Sequence, residues 1–206
     1  MGNKEEIIEN YLERLLGNVG CELIYHTDYE LLIAVMLSAQ TTDKAVNQAT
    51  SLLFSKYQSL EELSQANEED LYPYIGKLGM YKAKAKNVIG ISKELLSRFD
   101  GKVPSSKEDL MSLPGVGNKT AEVTRIELFE DPEFPVDTHV ERISKRLGLA
   151  KPSDDVKEVE TKLRKKFDKE SWIKMHHLFI HFGRKQCKAK NPQCENCELS
   201  SFCKEK

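Results

Sequence analysis

Apolar residues recur along the chain at intervals of three and four, the period of a helix with one buried face. Ile7, Ile8, Tyr11, Leu12, Leu15 and Leu16 form the first such stripe, and Gly17 closes it. The same spacing predicts a second helix capped by Asp28 and running through Gln40, and a third from Thr42 toward Phe54. Ser59 with Glu62 forms a capping box for a short fourth helix, 68–74 forms another, and a long one runs over 81–98 until Asp100-Gly101 stops it. Ser106 opens a short helix before Leu113. Further helices fall near 119–129, 138–147, 154–167 and 171–182. There is no sustained alternation, and no Asn-Gly or Asp-Gly turn between β-branched runs, so the chain reads as all-α. The longest apolar run, 31–37, falls far short of the roughly 20 residues that a bilayer requires, and no membrane span is expected.

The best domain boundary is the Pro-containing stretch Glu130-Asp131-Pro132-Glu133-Phe134-Pro135. With 206 residues, 39% of them apolar, there is enough chain for one large or two small domains. A net charge of −2 excludes a uniformly basic coating protein, so any nucleic-acid surface must come from local clusters. Three clusters are candidates: Lys77, Lys82, Lys84 and Lys86; Arg142, Lys145 and Arg146; Arg184, Lys185, Lys188 and Lys190. Each also reads as a solvated helix face. The start Met1-Gly2-Asn3-Lys4-Glu5-Glu6 has no apolar signal segment, and Glu6 stands where myristoylation wants Ser or Thr. A reducing, cytoplasmic setting is therefore expected.

Candidate chemistry begins at Leu113-Pro114-Gly115-Val116-Gly117-Asn118-Lys119-Thr120-Ala121. Pro114 ends the preceding helix, while Gly115 and Gly117 allow positive φ and leave the backbone amides open to an anion. The helix that starts near Asn118 adds the positive end of its dipole, which suits a DNA phosphate. That field disfavours an ammonium close by, and so favours the neutral amine that a nucleophilic Lys119 needs. Asp137, in the run Phe134-Pro135-Val136-Asp137-Thr138-His139-Val140, supplies a carboxylate at the start of another helix. Taken singly, Lys119 reads equally as a solvated first-turn lysine and Asp137 as a helix cap.

Cys187, Cys194, Cys197 and Cys203 follow as C-x6-C-x2-C-x5-C, and four thiolates in so short a segment imply a metal centre. Disulfides suit an oxidising compartment. Zinc ribbons usually pair two C-x2-C knuckles, of which only one is present. Four cysteines also hold a [4Fe–4S] cluster. Cys21 lies outside the motif and reads as a small buried or half-buried residue. His139, His176, His177 and His181, all within helical patterns, read as packed or hydrogen-bonded groups, and Trp172 as core.

Together, LPGVGNKTA, VDTHV and the cysteine spacing resemble the endonuclease III family of DNA glycosylases with AP lyase activity. The resemblance extends to 31–43 and 79–85, nearly the whole chain. It implies a two-domain helix-hairpin-helix DNA glycosylase fold with a C-terminal iron–sulfur loop. A six-helix domain over 22–131 would contain the hairpin, and 1–21 plus 132–206 would form a second helical domain with the [4Fe–4S] loop at 187–203.

The resemblance further implies a monomer acting on double-stranded DNA with damaged bases or abasic sites. Lys119 would be the nucleophile and Asp137 its carboxylate partner, with the four cysteines as cluster ligands. Gln40 would fill the space left by an extruded base, and Met80, where the family more often has leucine, would act as an apolar wedge. Gly115, Val116 and Gly117 would meet the DNA backbone, as would Lys188 and Lys190 on the cluster loop. Glu122, Arg125 and Glu127 depart from the uncharged helix usual after this lysine. The harmless reading pairs Glu122 with Arg125 on an exposed face; if they face the base pocket, the usual preference for oxidised pyrimidines is affected. Two other readings are a monofunctional relative of the adenine-removing branch, disfavoured by Lys119, and a non-catalytic DNA binder, disfavoured by retention of Lys119 and Asp137.

Overall fold

In a computed structural model, residues 3–205 are described; the reading of the Met1-Gly2 start lies outside the described residues. Eleven α-helices follow one another among them: α1 (Lys4–Leu16), α2 (Asp28–Leu37), α3 (Asp43–Lys56), α4 (Leu60–Gln65), α5 (Glu68–Ile75), α6 (Tyr81–Arg98), α7 (Lys107–Ser112), α8 (Asn118–Phe129), α9 (Thr138–Arg146), α10 (Val156–Lys166) and α11 (Trp172–Lys185). No strand occurs among the described residues. The chain divides into two compact units, Glu22–Phe129 and Met1–Cys21 with Glu130–Lys206.

In the unit Glu22–Phe129, α2 is buried along its length, from Leu31 to Leu37 at 5% exposure or less. A helix that is apolar all round has no solvent face and becomes the centre around which others pack. α3, α6 and α8 lie against it, α4 and α5 cover α6, and α7 leads into α8. No helix among the described residues is long and apolar enough to cross a membrane.

Two local expectations are corrected here. Thr27, not Asp28, caps α2, and the helix ends at Leu37 instead of reaching Gln40. The Ser38 hydroxyl donates to Val35 O at 2.7 Å, competing with the ladder at the helix end, and Gln40 adopts φ 55°. Ser59 caps α4 by accepting from Glu62 N at 3.2 Å, but the Glu62 carboxylate accepts from Gln58 N at 2.7 Å, one residue before the cap.

In the other unit, α1 begins with a reciprocal capping box between Asn3 and Glu6 and packs on α11. Phe134, Phe167 and Phe179 meet with ring centroids 6.1–6.3 Å apart at the centre of its core. Burying a side chain of this size contributes about 1.5–3 kcal/mol, which ties the segment after the proline-rich stretch to α10 and α11. The histidines are packed or hydrogen-bonded: His176 Nδ1 lies 2.8 Å from Pro135 O, and His181 Nε2 lies 3.0 Å from Gly20 O. His177 is buried. Trp172 is half-buried and packs against this core, with Arg164 over its ring at 5.0 Å and its Nε1 donating to Phe167 O at 2.9 Å. Cys21 is half-buried.

Candidate functional site

The hairpin joins α7 to α8. Ser106 caps α7, and Leu113 and Val116 anchor the turn through buried side chains. The Val116 amide donates to Leu113 O at 3.2 Å, and the Gly117 carbonyl accepts the Ala121 amide at 3.0 Å as α8 starts. The two glycines play different parts. Gly115 sits at φ +74°, and a Cβ there would come within 2.2 Å of the Asn87 side-chain nitrogen. Its glycine is required by the fold itself. Gly117 is not among the positive-φ residues, which corrects the expectation for it, and a Cβ at this position would meet nothing within 4 Å. Among the described residues nothing crowds this position, and the backbone there faces open space. Lys119 lies in the first turn of α8 and is exposed, as are Gly115 and Gly117.

The charges that follow Lys119 do not lie on one exposed face. Glu122 is 1% exposed, and its carboxylate accepts from Lys107 Nζ on α7 at 2.6 Å. Arg125 reaches Ser105 O at 3.1 Å. Glu122 thus holds α7 against α8, bracing the hairpin from behind.

Gln40 and Met80 are both exposed, and both occupy the left-handed region, with φ 55° and 58°. Such a conformation costs about 1–3 kcal/mol at a non-glycine residue and gathers at functional positions. Met80 is 55% exposed. Lys77, Lys82 and Lys86 are exposed, whereas Lys84, expected in the same basic cluster, is buried.

Asp137 caps α9: its Oδ1 accepts from the amides of His139 and Val140, each at 2.8 Å. The cap fixes the carboxylate and leaves Oδ2 outside these bonds. Burial pushes the neighbouring His139 below its ordinary pKa in spite of the Asp137 charge, and its ring sits 3.2 Å from the Arg142 guanidinium.

The second basic cluster proves to be a brace instead of an open cationic surface. Arg142 donates to Cys187 O at 3.0 Å and Gly183 O at 3.1 Å, and Arg146 donates to Lys188 O at 2.7 Å. Lys145 pairs with Glu141 at 2.6 Å. Lys188 and Lys190 are exposed.

Cys187, Cys194, Cys197 and Cys203 form no disulfide and line one cavity of about 70 Å3 together with Leu147, Phe182 and Pro192. Arg146 directs a guanidinium N–H at the Cys187 sulfur over 3.6 Å. Despite desolvation, its hydrogen bonds to Cys187 and Glu205 raise the Arg146 pKa. Burial pushes the Cys197 thiol up. Four cysteines lining one cavity fit an iron–sulfur cluster.

The chain matches the HhH-GPD superfamily of base excision DNA repair proteins over residues 33–169, and the iron–sulfur binding domain of endonuclease III over 187–203. Endonuclease III of Bacillus subtilis (strain 168) is 46% identical over 185 residues, covering 90% of this chain and 84% of the relative. That of Thermotoga maritima is 41% identical, covering 85% and 82%. A non-covalent endonuclease III–DNA complex superposes with a TM-score of 0.94 at 42% identity, covering 100% of this chain and 97% of the other. A trapped covalent endonuclease III–DNA intermediate gives 0.93 at the same identity and coverage. A thermostable thymine-DNA glycosylase at 19% identity shares the fold, with a TM-score of 0.84. An all-helical chain with a glycine hairpin, an exposed lysine just beyond it and a four-cysteine loop thus belongs to the endonuclease III family of base-excision DNA repair enzymes.

Proposed function

We propose that Lys119 is the nucleophile, and Asp137 its carboxylate partner, in a DNA glycosylase with AP lyase activity that removes oxidised pyrimidines from duplex DNA. The observation that carries this assignment is the hairpin, which presents an exposed Lys119 one residue into α8, beside a Gly117 whose backbone faces open space. A base in a duplex hides its glycosidic bond, so the nucleotide is first extruded, and Gln40 and Met80 fill the gap. Gly115, Val116 and Gly117 seat a backbone phosphate at the start of α8, with Val116 contributing its backbone, since its side chain is buried.

Lys119 Nζ attacks the sugar C1′. The C1′–N bond breaks, and the base leaves with the bonding electrons and takes up a proton. Asp137 stabilises the positive charge developing on the sugar or accepts the proton that the amine releases. Opening of the sugar ring gives a Schiff base between Lys119 and C1′. The imine acidifies the C2′ proton, whose removal expels the 3′ phosphate by β-elimination and nicks the strand. Water then hydrolyses the imine and restores the lysine.

Cys187, Cys194, Cys197 and Cys203 would hold a [4Fe–4S] cluster, which when bound supplies four iron–sulfur cross-links to the loop. Lys188 and Lys190 project from that loop and are available to phosphates. Ligation through thiolates suits a reducing cytoplasm.

Borohydride trapping on a duplex with one abasic site tests the assignment. The protein should yield a covalent protein–DNA band, and Lys119→Gln should lose the band and roughly 10^4-fold or more of its nicking rate while still binding DNA. Wild-type nicking by Lys119→Gln would refute it. A protein that binds DNA but gives no band would instead be a monofunctional glycosylase or a non-catalytic binder.

A further inference from the structure

Of the lysines at 77, 82, 84 and 86, Lys84 alone turns inward, at 3% exposure. Its ammonium donates to Ala39 O at 2.9 Å and to Thr41 Oγ1 at 2.9 Å, the residues on either side of Gln40. Its backbone amide donates to Met80 O at 3.0 Å, within the first turn of α6. That amide bond is the ordinary first bond of α6, whose N-cap is Met80, so the Lys84 side chain ties the Gln40 loop to the helix turn that carries Met80. Both Gln40 and Met80 hold left-handed backbone that their side chains disfavour, so the surrounding contacts must maintain it.

We infer that Lys84 is a positioning residue that locks Gln40 and Met80 into one preformed wedge, so that both side chains enter the duplex without a loop rearrangement when the base is extruded. This rests on the reading of Gln40 and Met80 as gap-filling residues. Burying an ammonium against two neutral oxygens is costly, and an aliphatic side chain at position 84 would suit a core selected for stability alone. Burial does lower the Lys84 pKa. The charge is kept because its tetrahedral head can hold two acceptors that bracket Gln40, which an aliphatic chain cannot do. Preorganisation of this kind appears in the rate of a step that needs the wedge in place, more than in affinity.

The test uses the full protein and a duplex carrying one oxidised pyrimidine opposite 2-aminopurine. Single-turnover excision, the 2-aminopurine fluorescence change on binding, DNA affinity and thermal melting are measured for Lys84→Met, Lys84→Arg, Thr41→Val and Gln40→Ala. Lys84→Met should lose about tenfold or more in excision rate and most of the fluorescence change, with affinity altered by less than about threefold. Lys84→Arg should recover part of both. Thr41→Val, which leaves the lysine but removes one of its acceptors together with the hydroxyl's own 3.2 Å bond to Ala39 O, should shift both in the same direction by less. It keeps the proposal open to refutation if Lys84→Met fails to fold.

The proposal is overturned if Lys84→Met or, failing it, Thr41→Val leaves excision and fluorescence unchanged, or lowers rate and affinity in parallel, as a general loosening would. The Gln40→Ala control separates the two levels. If it lowers excision and fluorescence while the Lys84 and Thr41 variants do not, only the positioning role falls. If Gln40→Ala changes neither, the gap-filling reading falls and the purpose of the clamp falls with it.

Discussion

The hairpin at 113–117 and the cysteine loop at 187–203 both present backbone and lysines to DNA in this reading, yet they are built in opposite ways. The hairpin is held by its own chain: Leu113 and Val116 are buried, Ser106 caps α7, Gly115 makes the left-handed turn, and the Lys107–Glu122 ion pair closes the rear. The cysteine loop buries only Leu199 among its described residues and leans on distant groups. Arg142 and Arg146 on α9 hold its carbonyls, and Lys204 N donates to Arg146 O at 2.8 Å just beyond it. A short loop with few apolar side chains cannot offset its ordering entropy by burial, so its shape depends on the metal and on the arginines. The same task is met by local backbone chemistry in one unit and by a cofactor in the other.

The strongest way to break this comparison is to remove one sulfur. Cys194→Ala should abolish the visible absorbance of the cluster and cost at least about 3 kcal/mol, or roughly 10 °C in Tm. Hydrogen exchange should then accelerate in 187–203 and α9 but not in α2 or α8. Equal acceleration in both units would show that the hairpin is not self-sufficient.

The two hairpin glycines give the next contrast. Gly115→Ala should destabilise the protein by about 1–3 kcal/mol, through its positive φ and the approach of Asn87, as read by urea unfolding. Gly117→Ala should leave stability within about 0.5 kcal/mol but weaken DNA binding by roughly tenfold. If Gly117→Ala binds normally, the open space above it is not where DNA lies.

Smaller still is the effect of a single surface charge on the cluster loop. Lys190→Ala should reduce the slope of log affinity against log salt by about 1 and weaken binding equally across sequences. An unchanged slope would remove Lys190 from the phosphate contacts. The smallest expected effect involves none of the residues proposed to meet DNA. The Lys162 ammonium, 2.5 Å from Asp154, together with the Lys151 amide, holds the Asp154 carboxyl below its ordinary range. A depressed folded-state pKa gives stability that is present above the unfolded value, about 3.9, and lost as pH falls through the folded one. Asp154→Asn should therefore flatten the acid limb of Tm against pH below about pH 4, and leave its shape near neutrality unaltered.

Much of the fold was legible because it depends on near neighbours. The long helix over 81–98, the stop at Asp100-Gly101 and the caps at Thr42 and Ser106 all follow from residues within a turn of one another. The end of α2 was not legible, since Ser38 and the left-handed Gln40 break a run whose apolar pattern offers no stop signal. The burial of Lys84 was equally hidden, because a lysine between Lys82 and Lys86 reads as solvated until its acceptors at 39 and 41 fold onto it. Glu122 looked like a surface charge for the same reason, its Lys107 partner lying on another helix.

The sequence by itself determined the helices, the glycine turn with its lysine, the four-sulfur motif and, through them, the family, because these reside in spacing and local backbone preference. Only the tertiary structure decided that Gly115 serves the fold while Gly117 faces open space, and which basic residues are braces and which are exposed. Burial and hydrogen-bond partnership join residues far apart in the chain, and no local pattern encodes such pairings.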